Sequence, residues 1–448
     1  MPGTTLKIGN HISGWSETAQ NWGSRGLLAI TDQGLISAAN FTISILLARW
    51  LAPAEYGAYA QALAVMFLAA TAYEAIVLEP MSVFAGARYR TQLRTYLGTL
   101  LCIHAVVAGA VFVTLGSFSW AAHLFPHSST LPAALAGVAV ASPCIFLLSL
   151  ARRAFYVELS PASVVAKSAL YCTLLMVGVT MVYRLGVLAP WNAFVLMGLA
   201  SLFTSAVMLH KLKPIVRLKQ HRELRVAWSN HWGYGKWALA GVITCWAPSN
   251  IFYSFVKDQA NAGSLKALLN LSLPAAQAAT ALSLLFLTYA ARVRQERGNT
   301  GLVRFITKLT LLYGAGAVVY WALFLPFRGP AVHLLYSGNY GSIVFLTPWL
   351  AVDSILQVVI NAPRTGLRAM ESPKSVMIAD SVQTLFTVVL GLPLTWRFGL
   401  PGIIFTSIVS HLASLGLCIF MIYRNSRRPQ ALPVSEGVGG LPLITQQS

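Results

Sequence analysis

KLKPIVRLKQHRELRVAWSNHWGYGKW is the stretch from Lys211 to Trp237, and it separates two long apolar halves of the chain. Seven of its residues are Lys or Arg, and they are opposed by Glu223 alone. Such a density of charge does not enter hydrocarbon, so the stretch lies in water or along lipid headgroups. Two interpretations remain open for it: a solvated linker, or a helix lying flat on an anionic leaflet. Both place it on the cytoplasmic side of a membrane.

The composition of the rest of the chain is typical of a membrane protein. Of the 448 residues, 56% are hydrophobic and 10% are charged, whereas about 25% are charged in a soluble domain. A helix crosses the hydrocarbon layer with about 20 apolar residues, and the chain contains many apolar runs of that length. We therefore predict an all-α polytopic membrane protein. Its net charge of +19 is explained by basic cytoplasmic loops, so no nucleic-acid partner is expected.

The apolar runs predict twelve transmembrane helices in two six-helix lobes. The predicted spans are 27–48, 56–78, 97–117, 131–150, 162–183, 190–210, 237–256, 268–290, 309–327, 343–361, 376–396 and 401–423. The corresponding domains are a cytoplasmic N-terminal segment (1–25), an N-lobe (26–210), the basic linker (211–236), a C-lobe (237–423) and a disordered cytoplasmic tail (424–448). Of the 32 Lys and Arg residues, 26 fall on the linker's side of these spans and 6 on the other, which predicts that both termini are cytoplasmic.

The two halves also look like an internal repeat with an offset of 212 residues. Adding 212 to a span of the first half gives a span of the second half. The same offset relates Arg152 to Arg364 and the segment 160–163 (SPAS) to 372–375 (SPKS). Because six is an even number of spans, the halves keep the same orientation. This predicts a parallel repeat, a layout in which transporters bind substrate between the repeats.

Polar residues recur inside the predicted spans at helical spacing. The stripes include Gln33, Ser37, Asn40 and Ser44 in span one, Trp246, Asn250, Tyr253 and Lys257 in span seven, and Lys266, Asn270, Pro274 and Gln277 in span eight. They either line a watery cavity or hydrogen-bond to neighbouring helices. The candidate substrate-binding residues are Arg25, Gln33, Asn40, Arg152, Asn250, Lys257, Asn270, Gln277, Arg364 and Arg368. The candidate ion-coupling residues are Asp32, Asp353 and Asp380. Two lone histidines, His104 and His411, are interpreted as packing residues.

No enzyme signature is present in the sequence. It has no GxxxxGK[ST] phosphate loop, no HExxH and no GxSxG, and its five cysteines lack metal-ligand spacing. We therefore expect neither covalent catalysis nor a metal or other cofactor.

Four motifs resemble those of one transporter family when they are taken in order along the chain. They are Leu46-Leu-Ala-Arg49-Trp-Leu-Ala-Pro53-Ala-Glu55-Tyr-Gly57-Ala-Tyr, Tyr234-Gly-Lys-Trp237, the segment from Gly263 to Gln277, and Gly366-Leu-Arg368-Ala-Met-Glu371-Ser-Pro373. The chain resembles the Wzx-type oligosaccharide flippases of the multidrug/oligosaccharidyl-lipid/polysaccharide exporter superfamily over roughly residues 25–425.

This resemblance implies a transporter in the bacterial inner membrane. Its substrate would be a polyprenyl-pyrophosphate-linked oligosaccharide moved to the outer leaflet for surface or exopolysaccharide biosynthesis. Its partners would be that substrate, membrane lipids, and the polysaccharide polymerase and export machinery. We expect Arg25, Arg152, Arg364 or Arg368 to contact the pyrophosphate, although Arg152 and Arg364 also fit the role of topology anchors. Two alternatives stay open: a cation-coupled multidrug exporter of the same superfamily, and a membrane glycan polymerase or ligase.

Overall fold

The computed structural model describes residues 31–87, 89–124, 130–157, 161–216 and 221–427. Its elements in the first half are α1 (31–50), α2 (Pro53–Tyr73), α3 (Glu79–Ala87), α4 (Leu93–His123), α5 (Leu131–Val157), α6 (Pro161–Arg184) and α7 (Pro190–Leu212). The elements that follow are α8 (His221–Ala240), α9 (Val242–Asn250), α10 (Gln259–Asn270), α11 (Leu273–Phe324), α12 (Arg328–Tyr336), α13 (Thr347–Val359), α14 (Asn361–Ala369), α15 (Pro373–Phe398) and α16 (Leu400–Ser426). Every regular element in these described ranges is helical.

Nine helical stretches among the described residues are long and apolar enough to cross a membrane. The protein is therefore a multi-pass, all-helical membrane protein, as its composition predicts. The predicted spans one, seven and eight are not among the nine. For span one, the predicted residues 27–30 lie outside the described ranges. The count of twelve spans stays a prediction.

The predicted seventh span, 237–256, differs most from the structure. Helix α8 already begins at His221, so the second half of the basic stretch is helical, and this helix ends at Ala240. A turn at Gly241 separates it from α9, and a 3₁₀ segment, Ile251–Ser254, completes the run. Proline inside a helix removes a backbone donor, and Pro248 lies in the last turn of α9, three residues before that segment. One straight span is thus replaced by three short helical pieces.

Helix α8 packs against the inner part of the first half. Gly235 lies so close to the π-helical turn Glu74–Leu78 that a Cβ atom there would be 2.7 Å from the Ala75 carbonyl oxygen. His231 is fully buried and contacts the Tyr96 hydroxyl at 2.8 Å. Away from these contacts, helix α8 exposes Trp228 and Trp232. Helix α8 is therefore amphipathic, and one of its sides packs against the protein. This agrees with both interpretations of the basic stretch, a solvated linker and a helix lying on the leaflet.

Helices pack mainly with others from the same half of the chain. In the first half α5 contacts α2, α4 and α7, and in the second half α16 contacts α13 and α15. We call the side with the α1–α2, α6–α7 and α15–α16 connections the turn end, and the side with residues 213–216 the linker end. The relation of the two halves by a repeat stays a prediction.

The two halves touch closely where α2 crosses α10 at the turn end. A Cβ atom on Gly57 would lie 1.6 Å from the Gln259 carbonyl oxygen, and one on Gly263 would lie 2.3 Å from the Pro53 carbonyl oxygen. Only glycine permits such an approach of two backbones, which is the usual role of small residues between membrane helices. Arg49 adds a hydrogen bond of 3.0 Å to the Leu334 carbonyl oxygen across the same end. The turn end is thus closed in this conformation.

Candidate functional site

The polar stripe of α1 faces the second half of the chain. Ser37 donates to Gln277 Oε1 at 3.1 Å, and Ser44 donates to Asn270 Oδ1 at 3.1 Å. Gln33 and Asn40, from the same stripe, are exposed. Because the first hydrogen bond joins residues 240 positions apart, the stripe marks the surface along which the halves meet.

The contact between Ser44 and Asn270 belongs to a buried three-residue network. The Asn270 amide donates to the Tyr56 hydroxyl at 2.9 Å, and that hydroxyl lies 2.8 Å from the Ser44 hydroxyl. All three side chains are buried. Inside a membrane such polar groups need partners within the protein, and each of these has two. The network therefore fastens α1 and α2 to α10.

A cavity of about 230 Å³ lies between α9, α10, α13 and α16, beside α2. The residues around it include Phe67, Ser249, Asn250, Tyr253, Lys266, Asn270, Asp353, Gln357, Ser407 and His411. It therefore brings together three residues predicted from the sequence: Asn250, Asn270 and Asp353. The remaining candidates among the described residues are not part of its lining.

An aspartate and a histidine form a buried pair on the wall of this cavity. His411 Nδ1 lies 2.9 Å from Asp353 Oδ1, and the two side chains are 9% and 7% exposed. The sequence analysis assigned His411 to packing alone; in the structure it is the partner of Asp353. No spacing could reveal this, because the two residues come from α13 and α16 and are 58 positions apart.

The cavity also contains a lysine that the sequence analysis left out of its candidate site. Lys266 lies on α10, is partly buried and has no carboxylate within 4.0 Å in the described part of the chain. It had been counted with the basic residues of the outer ends. The sequence also places it in one polar stripe with Asn270, because residues four apart share a helix face.

Two of the predicted arginines are neutralised by aspartates. Arg152 Nη2 lies 2.5 Å from Asp32 Oδ2, which also accepts a hydrogen bond from the Tyr156 hydroxyl. Arg364 Nη2 lies 2.5 Å from Asp380 Oδ1. The arginines are 20% and 23% exposed, so both ion pairs are largely shielded. Each arginine retains a buried Nε that has no partner among the described residues.

The ion pairs differ in the helix that supplies the carboxylate. Arg152 and Arg364 are 212 residues apart, as the predicted repeat requires. Asp32 comes from α1, whereas Asp380 comes from α15. Ser168 takes the position 212 residues before Asp380; it is buried, and its hydroxyl has no partner among the described residues. The two arginines related by the predicted offset are thus paired with aspartates from helices that this offset does not relate.

The other predicted site residues are not gathered at the cavity. Lys257 is exposed in the connection between the 3₁₀ segment and α10, so the predicted stripe of the seventh span does not extend to it. Arg368 is exposed on α14. Arg25 lies outside the described residues. Within those residues, no group of three or more His, Cys, Asp or Glu side chains is positioned to hold a metal ion.

The fold and the cavity between the helices define a class: a multi-pass membrane protein built like a transporter. Its structure is similar to the inward-facing conformation of a multidrug resistance MATE family transporter of the MOP superfamily, with a TM-score of 0.70 and 13% identity over 89% of this chain and 98% of the other. It is also similar to the lipid II flippase MurJ in an inward closed conformation, with a TM-score of 0.70 and 10% identity over 90% and 88% of the two chains.

A third similar structure is a MOP superfamily transporter from Pyrococcus furiosus Vc1 (DSM3638), described as having a binding pocket of reverse polarity. The TM-score is 0.61, with 13% identity over 90% of this chain and 95% of that one. No protein-family model and no curated protein sequence matches the chain. The chain therefore has the fold of MOP superfamily transporters, and these neighbours are transport proteins rather than enzymes.

Proposed function

We propose that this protein is a flippase that moves a polyprenyl-pyrophosphate-linked oligosaccharide across the bacterial inner membrane. The chain would cross the membrane twelve times as two six-helix lobes, with the linker end and both termini in the cytoplasm. The substrate would enter at the linker end and leave at the turn end for surface or exopolysaccharide biosynthesis. The polymerase and export machinery would receive it there.

One observation carries this proposal. Among the described residues, the charged side chain at the cavity that has no partner of opposite charge is a cation, Lys266. The three aspartates Asp32, Asp353 and Asp380 each have a basic partner. Lys266 in the cavity has none among the described residues. A cavity that selects cationic drugs needs unpaired acidic groups, whereas a substrate with phosphate groups needs cations. The balance therefore favours an anionic lipid-linked substrate over a cationic drug.

The polar lining fits the transport of a glycan. An oligosaccharide and its pyrophosphate do not cross about 30 Å of hydrocarbon unaided. Amide and hydroxyl side chains around the cavity, such as Asn250, Gln357 and Ser407, supply hydrogen bonds for sugar hydroxyls. The hydrogen bonds between α1 and the second half lie where the lobes must separate. Rocking of the lobes about this surface would give alternating access while the polyprenyl tail remains in the bilayer.

Of the three coupling candidates, Asp353 is the best suited to exchange a proton. Asp32 and Asp380 are paired with arginines, which stay charged at all physiological pH values. Asp353 is paired with His411, and histidine is the side chain whose charge changes near neutral pH. We therefore assign ion coupling to this pair on the cavity wall.

The proposal is tested with the purified protein in liposomes that contain a polyprenyl-pyrophosphate oligosaccharide with a fluorescent glycan. Protein-dependent loss of access to a membrane-impermeant quencher is the expected result. Imposed proton and sodium gradients then identify the coupling ion. Elongation of the glycan would instead support the polymerase or ligase, and efflux of a cationic dye without movement of the lipid would support the multidrug exporter. Either of these last two results would refute the flippase.

Labelling of introduced cysteines from outside intact cells tests the orientation. Residues of the basic stretch at 213–216 should be protected, and residues of the connection at 255–258 should react. The reverse pattern would contradict the proposed direction of transport.

A further inference from the structure

Lys266 occupies an unusual position for a lysine in a membrane protein. It is partly buried beside a cavity lined by both apolar and polar side chains, and no carboxylate of the described residues lies within 4.0 Å. The nearby carboxylate of Asp353 is paired with His411 instead. A charged group within a membrane is costly, so it commonly pairs with another group or marks a substrate pathway. A bound anion would supply the missing partner.

Lys266 lies far from the headgroup layer at the linker end, where the pyrophosphate of a lipid-linked substrate would enter. Helix α10 begins with Gln259 at the turn end, and Lys266 lies seven residues further along it. At about 1.5 Å per residue, this is about 10 Å from the turn end. With a hydrocarbon thickness of about 30 Å, about 20 Å remain to the linker end. A substrate entering there has its pyrophosphate in the headgroup layer and extends its sugars towards Lys266.

We propose that Lys266 binds a carboxylate on the glycan, so that the substrate is an acidic oligosaccharide carrying a hexuronic acid or a similar sugar. The ammonium group would form a charge-assisted hydrogen bond with the sugar carboxylate, while Asn250 and Gln357 bind hydroxyls. The cavity of about 230 Å³ is below the range of about 300–1,000 Å³ for whole ligands, so it receives one end of a longer molecule. This inference rests on the proposed flippase function and names the substrate class of the same site.

The experiment compares two substrates that differ only in one sugar. Liposomes containing the full-length protein receive undecaprenyl-pyrophosphate tetrasaccharides, long enough to extend over about 20 Å, that end in either glucuronate or glucose. The initial rate of translocation is measured for the wild-type protein and for the Lys266→Gln and Lys266→Arg variants. Lys308→Gln is the matched control, because Lys308 is an exposed lysine of α11 away from the cavity.

We expect Lys266→Gln to slow the glucuronate substrate by about tenfold or more, which is the usual effect of losing a hydrogen bond between charged groups. The glucose substrate should change less than about twofold, and this also shows that the variant is folded. Lys266→Arg should recover most of the glucuronate rate because it keeps the charge. Lys308→Gln should leave both rates unchanged.

Two results would overturn the inference while leaving the flippase intact. Equal slowing of both substrates by Lys266→Gln would mean that Lys266 contacts the shared pyrophosphate, and unchanged rates for both would mean that it contacts no part of the substrate. If the wild-type protein moves neither substrate, the proposed function itself fails, and the acidic glycan fails with it.

Discussion

Replacing Gly57 by alanine should break the closest contact between the two halves of the chain. The added Cβ atom would lie 1.6 Å from the Gln259 carbonyl oxygen, and ordinary contact begins at 3.4 Å. The two backbones would have to separate by about 1.8 Å, because a carbonyl oxygen cannot rotate away as a side chain does. Overpacking of this kind typically costs about 1–3 kcal/mol, and a clash against the main chain belongs at the upper end.

The expected effect is measured as a loss of thermal stability in detergent. About 1 kcal/mol shifts the melting temperature by about 2–4 °C in chains of 150–250 residues, and by less in a longer chain. We therefore expect the melting temperature to fall by about 3–6 °C for Gly57→Ala. The control is Gly116→Ala in α4, where no atom lies within 4 Å of the new Cβ atom. Both glycines are helical, so the gain in helix propensity of up to about 1 kcal/mol is common to both variants.

A double-mutant cycle shows whether the loss arises at the crossing. Gly263→Ala disturbs the same pair of backbones, with a Cβ atom 2.3 Å from the Pro53 carbonyl oxygen. Once the helices have separated for one substitution, the second costs less, so the combined loss should be smaller than the sum. If the Gly57→Ala and Gly116→Ala variants have the same melting temperature, or if the losses from Gly57→Ala and Gly263→Ala simply add, α2 and α10 do not cross as described.

Three further experiments test the polar contacts through the melting temperature. Asp32→Asn should destabilise the protein by about 3–5 kcal/mol, because Arg152 is left without its counterion; a loss no greater than that of a surface substitution would show that the ion pair is not formed. If the halves are repeats, Ser168→Asp places a carboxylate at the position that corresponds to Asp380 in the second half. Added to Asp32→Thr, it should recover at least half of the stability that Asp32→Thr alone loses. Failure to recover would count against the repeat. Asn270→Leu should cost about 1–3 kcal/mol because Tyr56 loses a hydrogen-bond donor in a buried site, and an unchanged melting temperature would mean that the network contributes nothing.

The sequence predicted the features that depend on local composition. Apolar runs of helical length showed that the chain is an all-helical membrane protein, because hydrocarbon excludes charges and unpaired backbone groups wherever they occur. The spacing of polar residues predicted one polar stripe on α1, and in the structure two of its four residues, Ser37 and Ser44, bond to the second half. Resemblance of short motifs led to the superfamily whose fold the structure shares.

Interruptions of a helix were harder to predict. Hydropathy averages over a window of residues, so the turn at Gly241 and the 3₁₀ segment before Lys257 were merged into one span. That error kept Lys257 in a helical stripe, whereas the structure exposes it in a connection. Lys266 was counted among the basic residues of the outer ends and also placed in a polar stripe with Asn270, and only the structure shows that it borders the cavity.

By itself the sequence determined that the chain is an all-helical, multi-pass membrane protein. Only the tertiary structure decided which charges neutralise each other. Arg152 pairs with Asp32, which is 120 positions away in the sequence, and His411 pairs with Asp353, which is 58 positions away. Coulomb attraction in a low-dielectric interior depends on the distance between atoms, which the order of residues along the chain does not contain. At the cavity, Lys266 has no carboxylate within 4.0 Å among the described residues, and this too is a property of the fold.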